Sequence, residues 1–130
     1  MKKIELLDFA KNTNLNITIE LINKMCEKMK NTHNINISFD GNINKDFVYE
    51  FRKALEEYDK ILLGKNRYIY YQREFEWKSF DIFIDYIFNL SKEDISRILP
   101  TDPCFAICHC LIMGSVGTDL MISNELKNDI

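Results

Sequence analysis

Residues 65–78 read KNRYIYYQREFEWK, and the conformation of this stretch decides the fold class. Tyr68, Ile69, Tyr70, Tyr71, Phe75 and Trp77 are the aromatic and β-branched types that suit a pleated surface, which points to a strand. Residues 35–39 offer it a partner, because Ile35, Ile37 and Phe39 alternate with Asn36 and Ser38 before Asp40-Gly41 ends the run. The alternation within 67–77 is imperfect, however, and a helix running on into 78–90 also fits.

The same stretch carries the strongest functional signal. Its aromatics interleave with Lys65, Arg67, Arg73 and Lys78. Tyr, Trp and Arg are enriched at protein–protein hot spots. Basic–aromatic interleaving is also how single-stranded nucleic acid is stacked and neutralised, although Glu74 and Glu76 count against that version. A strand with its rings packed inward and its charges solvated explains the composition with no partner at all. The candidate binding residues are Arg67, Tyr68, Tyr70, Tyr71, Arg73, Phe75, Trp77 and Lys78, with a protein as the first expected partner and single-stranded nucleic acid as the second.

Working outward, helices flank this segment on both sides. Residues 45–63 place Phe47, Val48, Phe51, Ala54, Leu55, Tyr58, Ile61 and Leu62 on one broad apolar face. Asn44 caps the start and Gly64 stands where a left-handed C-cap is wanted. From Lys78, the residues Phe80, Phe83, Ile84, Ile87 and Phe88 form an inner face, with Asp81, Asp85 and Asn89 outside. Ser91 and Asp94 open a short helix before Pro100. Thr101 or Asp102 then caps another, with Pro103 in its first turn; Gly114 and Gly117 end it, and TDLMIS (118–123) reads as a last short strand. Upstream, 4–11 and 17–30 form two helices, the second capped by Asn16 or Thr18 and with Ile19, Ile22, Met25, Cys26 and Met29 on its buried stripe. Their spacing invites a helix–turn–helix reading, but Glu20 and Glu27 beside Lys24 and Lys28 leave no basic recognition face.

A chain of 130 residues is long enough to bury one core without staples. With four Gly and two Pro it has few forced turns and no linker, so a single compact domain is expected. Abundant Ile, Asn and Lys with scarce Ala, Gly and Pro point to a low-GC genome, bacterial or viral. The start, MKKIELLDFAK, lacks the apolar run of a signal peptide, and 104–113 is about half the length needed to cross a bilayer. A cytoplasmic protein with reduced thiols and no membrane partner is expected. The net charge of -3 disfavours duplex nucleic acid. The acids concentrated in 81–130 suit solubility or a basic protein partner.

Three of the four cysteines and one of the two histidines fall within DPCFAICHCLIM, 102–113. On a helix, Cys104 and Cys108 share a face, while His109 and Cys110 turn about 100° and 200° away from Cys108. Four ligands so spread cannot close on one zinc ion. The stretch reads as core, leaving open whether His109 or Cys110 reaches the surface. Cys104 activated at a helix N-terminus is physically allowed, but no base or oxyanion donor is identifiable beside it. Asp81 and Asp85 share a helix face without a second acidic motif, and GSVGTD lacks the lysine of a phosphate loop.

These readings converge on an α+β, mainly α fold: one domain of five or six helices with two or three short strands. They include no catalytic residue, metal or cofactor. The expected function is binding, as an inhibitor or an immunity or counter-defence protein that sterically occludes a macromolecule through 65–78, the acidic half, or both. A nucleic-acid-binding accessory protein and a small Cys-dependent enzyme are the alternatives.

Overall fold

The computed structural model describes residues 15–63, 67–99 and 102–113, which form five helices. These are α1 (Leu15–His33), α2 (Lys45–Leu63), α3 (Arg67–Phe88), α4 (Lys92–Ile98) and α5 (Pro103–Met113). Among the described residues there is no strand. The mainly helical character expected from sequence holds, and the strands expected at 35–39 and 67–77 are corrected to extended chain and helix.

The correction has a local cause. Residues 67–77 are the first half of a single 22-residue helix that continues to Phe88. In a strand, Phe75 and Trp77 would share a face; here Phe75 is 72% exposed and Trp77 only 2%. Trp77 instead joins Phe80, Ile84 and Ile87, which recur at three- and four-residue steps and are all buried. Extending a helix adds a hydrogen bond per residue without a second nucleation. Gln72, Arg73, Glu74 and Glu76 are good helix formers, and Lys78 reaches Glu74 at 3.7 Å one turn back. Core register and propagation together outweigh the strand preference of the aromatics.

Residues 35–39 keep the faces that alternation assigned but not the ladder. Ile35 is buried, Ile37 and Phe39 are half-buried against the core, and Asn36 and Ser38 are exposed. With 67–77 helical, the segment has no strand to pair with among the described residues and lies as extended chain. It begins where Asn34, at φ 54°, takes the left-handed conformation that ends α1 and donates its N–H to the Lys30 carbonyl. It ends at Gly41, φ 96°, where Asp40 accepts from the Asn42 N–H in a side-chain turn. The helix 4–11, the cap at Gly64, the ends at Gly114 and Gly117 and the strand 118–123 lie outside the described residues.

Asn16 and Thr18, either of which the sequence offers as the cap of α1, lie inside that helix, whereas three other N-caps read from sequence are formed. Asn44 Oδ1 accepts from the Phe47 N–H at 2.8 Å, and Ser91 Oγ from the Asp94 N–H at 3.2 Å. Asp102 Oδ1 takes the N–H groups of Cys104 and Phe105, so Asp102 caps α5; Thr101, the other residue the sequence offers, lies outside the described residues.

Helix α5 is the centre of the protein. Every residue from Phe105 to Ile112 is buried, as a helix apolar on all sides must be, and α1, α2 and α3 all pack on it. Leu21, Ile22, Met25 and Met29 of α1, Phe51 and Leu55 of α2, and Phe80 and Ile84 of α3 enclose it in one continuous core. Cys110 is fully buried. His109 is 6% exposed and lies 3.0 Å from the buried Thr18 hydroxyl through Nδ1. Neither reaches the surface. In α4, by contrast, no residue is buried.

Candidate functional site

Helix α3 shows opposite characters on its two sides, and its outer side is the candidate site. Phe75 and Ile82 are seven residues apart, two turns, and therefore lie in one row. They are 72% and 71% exposed, while the opposite row is core. Lys78 stands exposed between them, held to Glu74, and Ser79 and Tyr86 are half-buried along the same side.

The helical register also divides the residues that sequence grouped together. Positions 67, 68 and 71 continue the row of Phe75, Lys78 and Ile82 toward the start of α3. Positions 70 and 73 fall on the other side of the helix, nearer the row of Trp77. The side chains of Arg67, Tyr68, Tyr70, Tyr71 and Arg73 lie outside the described residues. Of the remaining three, Phe75 and Lys78 are on the outer surface and Trp77 is inside. Ile82 does not stand out from the period of 78–90 alone. Its signal was its seven-residue offset from Phe75.

Behind this face is a polar joint between α2 and α3. Trp77 donates its indole N–H to Asp59 Oδ2 at 3.0 Å, and Asp59 is 1% exposed. The Arg52 guanidinium lies 5.1 Å from the Trp77 ring centroid. It pairs with Asp81 through Nε at 2.6 Å and Nη2 at 2.9 Å, and with Glu56 on its own helix. Partial burial holds the Asp81 carboxyl above its ordinary range, Arg52 offsets this only in part, and the neighbouring Glu56 and Asp85 add to the rise. Burial, with the nearby Asp85 and Asp81 carboxylates adding to it, pushes the Tyr49 hydroxyl upward. The outer carboxylates that sequence singled out therefore serve the α2–α3 contact.

The cysteines are four free thiols in an apolar setting. Burial raises Cys26 to about 11 and Cys110 to about 12, and Cys108 well above its ordinary value. Cys104, at the start of α5, is raised to about 11 by burial and then by the Asp102 carboxylate that caps the helix. Burial first, and the cap after it, thus outweigh Lys45 and the activation a helix N-terminus provides. Among the described residues, no three His, Cys, Asp or Glu side chains are placed to hold a metal ion together.

No single helix among the described residues is long and apolar enough to cross a membrane. Helices α4 and α5 reach that length only together, across a 45° bend, and α5 is enclosed by the core. Comparison of the chain with protein-family models, with characterised proteins and with solved structures returns no match.

Proposed function

We propose that the protein is a binding module that docks the outer face of α3 on another protein and occludes it, in the manner of an inhibitor, immunity or counter-defence protein. The observation that carries this reading is the exposed pair Phe75 and Ile82 on a helix whose other side is core. Burying such a side chain at an interface contributes roughly 1.5–3 kcal/mol. Two anchors about 10 Å apart on one helix face match the spacing by which a helix enters an apolar groove. Lys78 supplies a polar rim. The Trp77–Asp59 and Arg52–Asp81 contacts hold the backbone behind the anchors, so little ordering is left to oppose docking. A helix of 22 residues, about 33 Å long, covers enough of a partner to block it sterically.

The test is affinity capture from the native host, comparing the wild type with Phe75→Ser/Ile82→Ser. One dominant protein is expected, with retention reduced tenfold or more by the double substitution and thermal unfolding unchanged. Equal retention by the two proteins removes α3 as the docking face. A single-stranded oligonucleotide bound at low salt, and lost steeply as salt rises, replaces the protein partner with nucleic acid.

A further inference from the structure

A groove of about 690 Å³ runs along the flank of α2 turned away from α3. One wall is residues 34–38; the other is Glu50, Lys53, Ala54 and Glu57. Buried Ile35 and Ala54 make its floor.

Two features of its walls are unspent. Beyond Ile35, the extended chain through Phe39 makes no backbone–backbone hydrogen bond among the described residues. It is an open edge that offers a donor and an acceptor at every second residue, fixed in extended form by the side chains of Ile35, Ile37 and Phe39. Among the described residues, Glu50, Lys53 and Glu57 also form no ion pair, although three- and four-residue spacing would let them pair with one another. On the neighbouring face of the same helix, Glu56 engages both Arg52 and Lys60.

We infer that this groove takes an extended, basic peptide segment of a partner protein, added as a strand along residues 36–39. A peptide is the ligand whose hydrogen-bonding groups repeat at the spacing of the open edge, and a cleft between an extended segment and a helix is a setting for strand addition. The charge follows from the far wall, where two carboxylates flank one ammonium in a chain of net charge -3. Glu50 and Glu57 are two turns apart, about 10 Å. Basic side chains at i and i+2 of an extended peptide start about 7 Å apart, and their flexible stems span the remainder. This surface is independent of the α3 face.

The test uses the full chain and an acetylated, amidated peptide KVKVKVK, followed by backbone amide chemical shifts. Shifts are expected at residues 36–39 and along the outer flank of α2. Affinity should fall at least tenfold for Glu50→Gln/Glu57→Gln, and at least tenfold for a peptide N-methylated at alternate residues. Both groups substituted are exposed, and unchanged thermal unfolding confirms that the variant is folded. The inference is overturned by equal binding of EVEVEVE, by indifference to N-methylation, or by shifts confined to the outer face of α3.

Discussion

Asp59 is a carboxylate taken almost wholly out of water, and the indole of Trp77 is one of the groups that make this tolerable. Losing one partner of a buried hydrogen bond costs about 1–3 kcal/mol, whereas removing both can be nearly neutral. Trp77→Phe should therefore lower stability by about that amount in urea unfolding. Adding Asp59→Leu should recover part of the loss, a coupling visible in a double-mutant cycle. The thiols carry a second prediction. Their protonated forms are favoured by folding, so above the ordinary thiol pKa of 9.0 the folded state holds more protons than the unfolded one. Stability from this source is complete below pH 9 and is lost as pH rises toward about 12. The urea midpoint should fall across that window, and Cys110→Ala should flatten the fall. In native protein at pH 8, iodoacetamide should modify the cysteines far more slowly than after unfolding.

At the scale of the element, α3 and the segment 35–39 separate what pattern can and cannot tell. Alternation identified the faces of 35–39 correctly, because side-chain direction in an extended chain depends only on the chain itself. Whether such a segment joins a sheet depends on a second segment, and here that segment is helical. In α3 the deciding information was long-range. Trp77 belongs with Phe80, Ile84 and Ile87 only once 67–88 is treated as one element, and the same register reveals Ile82. Caps were the most legible features, since each is a local bond between a side chain and a nearby N–H. Asp102→Ala should thus cost about 0.5–2 kcal/mol, read as a lower unfolding midpoint. Phe75→Ser and Ile82→Ser, with no folded contacts of that kind to lose, should each stay within about 0.5 kcal/mol of the wild type.

For the whole molecule, the decisive fact is that the most apolar helix is surrounded. Helix α5 lies against α1, α2 and α3, so its amide hydrogens should exchange last, only on global unfolding, while those of exposed α4 exchange through local opening. Leu111→Ala, in the middle of this packing, should cost about 2–5 kcal/mol in chemical unfolding. The sulfur-rich run that resembles a metal or redox motif is thereby explained by burial.

By itself, the sequence determined the helices α1, α2, α4 and α5, the N-caps of the last three and most of the core. These follow from short-range rules: the 3.6-residue period, side-chain bonds to the first turn, and the transfer of apolar groups from water. Only the tertiary structure decided that 67–77 is helix, that Trp77 faces inward while Phe75 and Ile82 face outward, and that His109 and Cys110 are enclosed on every side. Each of those depends on what packs against the segment, and a neighbour brought close by folding leaves no mark in the local pattern of residues.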